Sequence, residues 1–306
     1  MRPQQGSGAH DTSFYGTSAY DTAPNGATPN GAAPTGAAAQ DRVFRDNDFM
    51  RHVSVVIPAL NEENTVASVV SAIKDEGPGE IIVIDADSTD ETATRARRAG
   101  ARVVNWQDAA PGRGVVPLPG KGESLWRGVA EARHDFVVFV DADLVDPPAG
   151  LVRSLAQPLA NDGRLQLVKP IYRRGFHGAS DGGGRVTELT AKPLLRLFFP
   201  ELAHIAQPLG GEYAIRRSAA LQLPFIGGFG VEAGLLIDTA EKFGVPAVTQ
   251  VELGTRHHRN KPLAELAPMA DIVATTISQR AGLAPDSVRK DCAFVERAPL
   301  HDYGVQ

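Results

Sequence analysis

Phe136-Val-Val-Phe-Val-Asp141-Ala-Asp143-Leu144 is the stretch that decides the reading of this chain. The hydrophobic run reads as a buried strand. It ends in two carboxylates one residue apart. In open α/β folds such residues project from the sheet edge where ligands bind. Two acids that close repel each other unless a cation sits between them. A divalent metal carrying a diphosphate fits, since hard oxygen ligands suit Mg²⁺ or Mn²⁺. A solvated acid pair explains most Asp-x-Asp sequences, so the flanking sequence has to carry the weight.

Upstream, Val53-Ser-Val-Val-Ile57 reads as a short β-branched strand followed by the loop Pro58-Ala-Leu-Asn61-Glu62-Glu63. Glu62 to Lys74 has helical spacing. Ile81-Ile-Val-Ile84 is a second strand ending at Asp85-Ala-Asp87-Ser-Thr-Asp90, whose Asp87, Ser88 and Thr89 offer N-caps for a helix running to Gly100. Val103-Val104 is a brief third strand, and Gly120-Lys121-Gly122 opens a helix through Ala132. Downstream, Leu165 to Val168 and Val248 to Leu253 read as strands. Thr187 to Phe199, Val231 to Phe243 and Leu263 to Ala281 read as helices. Strands alternating with helices predict an α/β fold, a mainly parallel sheet flanked by helices.

The 306 residues fit one large α/β domain with tails. Residues 1–48 are rich in Gly, Ala, Pro, Thr and Asn, and Thr22 to Gly36 repeats a Pro-x-Gly theme. Such a segment buries too little apolar surface to offset its ordering entropy and reads as a disordered leader. The folded domain is assigned to 49–284. Beyond Pro285 the pattern fades, and 285–306 reads as a poorly ordered tail. A net charge of −5 argues against bulk nucleic-acid binding. The single cysteine, Cys292, forms no internal disulfide and fits a reducing cytoplasm. No run approaches the ~20 apolar residues of a transmembrane helix, and the N-terminus has no apolar signal region.

Four features fall at strand ends or helix starts: Pro58 to Glu62, the acidic turn from Asp85, Lys121 between its glycines, and Asp141/Asp143. In a parallel sheet they converge on one edge and describe a nucleotide pocket. The first loop holds a base, Lys121 meets a phosphate as a point charge, and the acids hold a metal. Taken singly, Lys121 reads more readily as a solvated lysine in a flexible loop.

This constellation resembles the GT-A glycosyltransferases. Longer motifs sharpen the match: Pro119-Gly-Lys-Gly-Glu-Ser-Leu-Trp126, Gln166-Leu-Val-Lys-Pro-Ile-Tyr-Arg-Arg174, Gly182-Gly-Gly-Arg185-Val-Thr187, Gln207-Pro-Leu209-Gly-Gly-Glu212-Tyr213, Gly230-Val-Glu232 through Asp238, and Arg256-His-His258-Arg-Asn260. In this order, from residue 53 to 282, they resemble the glucosyl-3-phosphoglycerate synthases of actinobacteria.

The resemblance implies a retaining, metal-dependent hexosyltransferase using UDP-glucose and a phosphorylated acceptor, 3-phosphoglycerate, glucosylated at its 2-hydroxyl. It places the donor on Pro58, Ala59, Leu60, Glu62, Ala86, Lys121 and Asp141. The acceptor phosphate falls to Gly184, Arg185, Thr187 and Asn260, and Mg²⁺ or Mn²⁺ to Asp143 and His258. Asp143, Lys121, Glu232 and Leu209 are the catalytic candidates. The glycine-rich segment fits an anion physically, since close backbone N–H groups, Arg185 and a helix start all favour phosphate. A flexible glycine loop capped by Thr187 explains the same residues. Glu232 reads either as a base or as an orienting group. Internal return, with the leaving phosphate helping to deprotonate the acceptor, stands beside double displacement. A homodimer follows from the resemblance, although core packing explains the apolar helices equally well.

The sequence departs from the family's pattern at three places. Ala86-Asp87 replaces Ser-Gly after the second strand, Gly210 replaces Ser, and Phe229 replaces Tyr before Gly230. These changes keep a related transferase with another sugar nucleotide or another acidic acceptor as the alternative. A nucleotidyltransferase is disfavoured because Pro58-Ala-Leu-Asn-Glu-Glu is not a glycine-rich nucleotide loop. A binding protein without catalysis is disfavoured by the joint presence of Lys121, Asp141, Asp143, Arg185 and His258.

Overall fold

A computed structural model of the chain describes residues 46–112, 114–175, 184–257, 262–283 and 294–306. The low-complexity leader lies outside them, apart from its last residues. So do His258 and Asn260.

Seven strands form the main sheet: β1 (Val53–Ala59), β2 (Glu80–Asp85), β3 (Arg102–Asn105), β4 (Phe136–Phe139), β5 (Leu167–Gly175), β6 (Tyr213–Arg216) and β8 (Val248–His257). Their order is β3-β2-β1-β4-β6-β5-β8. All are parallel except β6, which runs against both neighbours, β4 and β5. β7 (Phe225–Ile226) pairs antiparallel with β9 (Glu296–Arg297) in a separate two-stranded ribbon. The helices are α1 (Val66–Lys74), α2 (Thr92–Ala99), α3 (Lys121–Glu131), α4 (Leu151–Asn161), α5 (Lys192–Phe198), α6 (Arg217–Ala220), α7 (Val231–Phe243) and α8 (Leu263–Arg280). A π-helical turn, Thr187–Ala191, leads into α5. This is the expected α/β architecture.

The continuous apolar run of β4 follows from burial on both faces. Successive side chains alternate between faces. Val137 and Phe139 join Trp126 of α3 and Leu236 of α7 in one core. Phe136, Val138 and Val140 join Val69 of α1 and Leu155 of α4 in the other.

Three readings need revision. β6 is short and lies inside a stretch where the sequence shows only a glycine motif, so its antiparallel insertion was not legible. α4 was not foreseen either. Finally, Asp87, Ser88 and Thr89 do not cap α2. That helix begins at Thr92, whose N–H donates to Asp90 Oδ1 at 2.9 Å. Ser88 and Thr89 bond to Asn61 instead.

The end of the chain also differs from the expectation of poor order. Among residues 294–306, Leu300 is fully buried. Trp126 Nε1 donates to Ala298 O at 3.1 Å, and Arg217 Nη1 donates to Gln306 O at 2.8 Å. Gly227 N–H reaches Val295 O at 2.7 Å, extending the β7–β9 ribbon. The weak sequence pattern here reflects a strap held by a few bonds and two buried side chains, Phe294 and Leu300, with no amphipathic period to reveal it.

Candidate active site

The first two loops are stitched together at the ends of β1 and β2. Asn61 has a left-handed backbone (φ 56), a conformation asparagine tolerates better than most residues. Its N–H donates to Ser88 Oγ at 3.0 Å, and its Oδ1 accepts from the Thr89 N–H at 2.9 Å. Glu62 N–H donates to Thr92 Oγ1 at 2.7 Å, and Ala86 N–H to Ala59 O at 2.9 Å. Pro58 and Ala59 pair with Ile84 and Asp85 as the last rungs between β1 and β2. Leu60 is exposed on the rim. The expected donor residues Pro58, Ala59, Leu60, Glu62 and Ala86 therefore share one wall at the expected sheet edge.

Asp87, where the family pattern has glycine, also has positive φ (62). Its carboxylate accepts from Asn105 Nδ2 (2.9 Å), Trp106 Nε1 (2.8 Å) and Gln107 Nε2 (3.0 Å). These side-chain donors hold its pKa below the usual carboxylate value. The gained acid is thus occupied by the turn after β3.

The centre is an ion-pair network. Lys121, the first residue of α3, places Nζ 2.6 Å from Asp141 Oδ1 and 2.8 Å from Glu232 Oε1. Glu232 is the second residue of α7 and is buried. Burial works to lower the Lys121 pKa, but Asp141 and Glu232 outweigh it and hold the ammonium well above the ordinary lysine value. The cation beside Asp141 is therefore this lysine. Asp143, two residues further on, is exposed. The two acids have separate surroundings.

The glycines around Lys121 serve packing. A Cβ on Gly122 would fall 1.7 Å from Ile226 O, and one on Gly120 would fall 2.5 Å from Gly227 O. Gly120 also has φ 108, which disfavours any side chain. Backbone contact between α3 and β7 thus sets where Lys121 stands.

The turn before β6 closes the other side. A Cβ on Gly211 would lie 2.2 Å from Asp141 Oδ2. One on Gly210 would lie 2.6 Å from Pro170 Cγ. Leu209 packs half-buried against the core. Because β6 is antiparallel, its first residue, Tyr213, lies at the same sheet end as the close of β4. The Phe139 and Tyr213 rings sit 4.8 Å apart.

Lys169 of β5 was missed. It is fully buried, donates to Gly210 O at 2.9 Å, and places Nζ 4.4 Å from the Tyr213 ring centroid. Burial brings its pKa down to about 7, with the nearby Glu232 opposing that fall. A lysine following Leu167-Val168 inside an apolar strand was the available signal.

On the acceptor side, Gly184 has positive φ (82) and its carbonyl accepts from the Glu188 N–H at 2.9 Å. Arg185 is half-buried and Thr187 is buried at the start of the π turn. Such turns recur at functional sites. No described contact links these residues to Lys121. His258 and Asn260 are outside the described residues, and among those described no three acidic, histidine or cysteine side chains gather as a metal centre. The donor set still fits a hard cation. An exposed carboxylate, Asp143, with diphosphate oxygens completing the sphere is a common way to bind Mg²⁺.

Residues 54–220 match the model of glycosyl transferase family 2. The glucosyl-3-phosphoglycerate synthase of Mycolicibacterium paratuberculosis is 50% identical over 260 residues, covering 81% of this chain and 78% of that protein. The crystal structure of the Mycobacterium tuberculosis glucosyl-3-phosphoglycerate synthase with Mn²⁺, UDP-glucose and phosphoglyceric acid superposes with a TM-score of 0.75 at 43% identity, covering 84% of this chain and 92% of that one. The same enzyme with Mg²⁺ and UDP gives a TM-score of 0.75 at 43% identity, covering 84% and 93%. With this sheet, these strand-end loops and this degree of identity, the chain belongs to the glucosyl-3-phosphoglycerate synthases of glycosyl transferase family 2.

Proposed function

We propose that this chain transfers glucose from UDP-glucose to the 2-hydroxyl of 3-phosphoglycerate with retention of configuration, using Mg²⁺ or Mn²⁺. The observation that carries the reading is the Lys121–Asp141–Glu232 network at the sheet edge of a chain from this family. Lys121 meets the departing diphosphate with a charge already held in place, so little reorganisation accompanies leaving-group departure. Asp143, with His258, would hold the metal, which supplies further charge stabilisation at the diphosphate when bound. The stitched loops of Pro58 to Glu62 and Ala86 hold the nucleoside. Gly184, Arg185, Thr187 and Asn260 hold the acceptor phosphate, and Leu209, in the turn before β6, is the remaining catalytic candidate.

Glu232 is paired to Lys121, which supports an orienting role over a nucleophilic one. Internal return fits that pairing. The glucose C1–O bond to the phosphate breaks, the acceptor oxygen bonds to C1 on the same face, and its proton passes to the leaving phosphate oxygen. The chain is further read as a homodimer acting in the cytoplasm. Exposed Leu189, Leu197 and Leu263 on the π turn, α5 and α8 support the first reading, and the single cysteine supports the second. Among the described residues no helix is long and apolar enough to cross a membrane.

The test is UDP release from UDP-glucose with Mg²⁺ or Mn²⁺, with and without 3-phosphoglycerate, and mass detection of the product. Acceptor-dependent release with a glucosylated product is expected. UDP binding without release would favour another sugar nucleotide or acidic acceptor. Asp143→Ala should abolish metal-dependent turnover with the fold intact, and Arg185→Ala should raise the acceptor KM.

A further inference from the structure

Lys169 has no exposed surface and sits within β5 between β6 and β8. Burying an ammonium costs several kcal/mol before its partners are counted. An apolar residue of similar length would avoid that cost, so what this lysine holds is informative. Its Nζ donates to the Gly210 carbonyl at 2.9 Å and rests over the Tyr213 ring at 4.4 Å. The Tyr213 hydroxyl itself is buried with no hydrogen-bond partner among the described residues. The ring therefore serves as a platform, and Lys169 fastens the turn before β6.

What the turn touches gives the bond its consequence. Gly211, the next residue, stands against Asp141 so closely that a Cβ would meet Oδ2 at 2.2 Å and Oδ1 at 2.9 Å. Asp141 holds Lys121 at 2.6 Å, and Lys121 holds Glu232 at 2.8 Å. The contacts are consecutive: Lys169 to Gly210, Gly211 to Asp141, Asp141 to Lys121, Lys121 to Glu232.

We infer that Lys169 is a positioning residue for glycosyl transfer: it clamps the Gly210–Gly211 turn to β5, and the turn's backbone backs the Asp141 carboxylate that aims Lys121 at the leaving group. In that role Lys169 touches neither donor nor acceptor. The lowered pKa, about 7, is compatible with it, because burial outweighs the opposing pull of Glu232, Glu212 and Asp141, with Lys121 adding to the fall. A neutral amine still donates to a carbonyl, so the clamp holds in either protonation state. The inference rests on the reading of this sheet edge as the transfer site.

Lys169→Met keeps the length and removes the donor. Misaligning a reacting group by about 1 Å costs on the order of 10²-fold in rate. Lys169→Met should therefore lower kcat by that order while the KM for UDP-glucose and the Kd for UDP stay within about threefold. Gly211→Ala pushes the same carboxylate from the turn side and should give the same split. A Lys169→Met enzyme with kcat within about twofold of wild type would overturn the inference. So would a loss in which both KM values rise together with a fall in Tm, the pattern of a merely structural residue. Wild-type turnover with 3-phosphoglycerate tests the transfer reading separately. If wild type turns over no substrate, a crystal structure of Lys169→Met decides: a broken Asp141–Lys121 contact supports the clamp, and an unmoved one sinks it.

Discussion

Arg297 Nε donates to Glu123 Oε2 at 2.7 Å, tying the last strand of the chain to the helix that begins with Lys121. Glu123 is fully buried and also takes Arg127 Nε at 2.8 Å. The Arg297 guanidinium lies 5.0 Å from the Trp126 ring centroid. The end of the chain is thus a brace on α3. Removing one partner of a buried pair costs about 3–5 kcal/mol. Arg297→Ala should fall at the low end, because Arg127 remains. Chemical denaturation should show a lowered midpoint with unchanged slope.

Lys121→Met should lower kcat/KM by on the order of 10²–10³-fold, the usual effect of deleting one preorganised charge at a developing anion. It also leaves Asp141 and Glu232 without their shared cation. Steady-state UDP release checks the rate. An enzyme within tenfold of wild type would remove Lys121 from leaving-group stabilisation.

Gly122→Ala should cost more stability than an exposed glycine substitution, because the added carbon would lie 1.7 Å from Ile226 O and that neighbour is backbone. The α3–β7 contact must open, and Lys121 must move with it. A low soluble yield or a Tm depressed by several degrees, together with lost turnover, is expected. A stable and active Gly122→Ala protein would show that the lysine is placed by something else.

Asp87 gives a pH-dependent signature. Donors from Gln107, Trp106 and Asn105 lower its folded pKa below 3.8. The unfolded chain binds the proton first as pH falls, so its stabilisation is full above 3.8 and is lost as pH drops through the folded value. The stability gap between wild type and Asp87→Ala should therefore be constant near neutrality and close in acid. The variant's UDP-glucose KM should rise while the acceptor KM holds, since the loosened turn after β3 flanks the donor wall.

Lys169 gives the same direction with pH in a higher window. Its folded pKa of about 7 lies below the ordinary 10.5. Between these values the unfolded chain carries the proton and the folded one has released it, so wild-type stability gains with rising pH across that window. Lys169→Met lacks that gain. The stability of the variant relative to wild type should be greatest at or below pH 7 and decline toward pH 10. A pH-independent difference would mean that Lys169 stays charged.

The parallel half of the sheet was legible because β1, β2 and β4 centre on short β-branched or aromatic runs, Val55 to Ile57, Ile81 to Ile84 and Phe136 to Phe139, each ending in a loop signal. Asp141 was found at the end of β4, Lys121 between the glycines that open α3, and Glu232 through the resemblance; the ends of β4, α3 and α7 meet at one edge and bring them together. The tie between Lys121 and Asp141 was not legible. From the sequence, two close acids ask for a cation without saying which. β6 was hidden because four residues after Gly210-Gly211 carry too little pattern, and an antiparallel insertion leaves no periodic mark. Lys169 was hidden because a charge in a strand reads as an edge residue until the neighbouring strands are known. The roles of Asp87, Ser88 and Thr89 were misread because Asx and Ser side chains serve caps and loop ties equally well, and only the proximity of Asn61 decides.

The backbone seating of Gly120 and Gly122 on Ile226 and Gly227 has a bearing on how such an enzyme diversifies. The start of α3 is seated by main chain, so side chains that drift around that seat leave it in place, while Asp141 still aims the ammonium. The rim formed by Leu60, Ala86, Asp87 and the turn of Asn105 to Gln107 is tied by hydrogen bonds but carries exposed and half-buried side chains, and the departures at Ala86 and Asp87 fall there. Substitution in this scaffold is therefore easier at surface turns than at the start of α3, where the glycine seat would have to open.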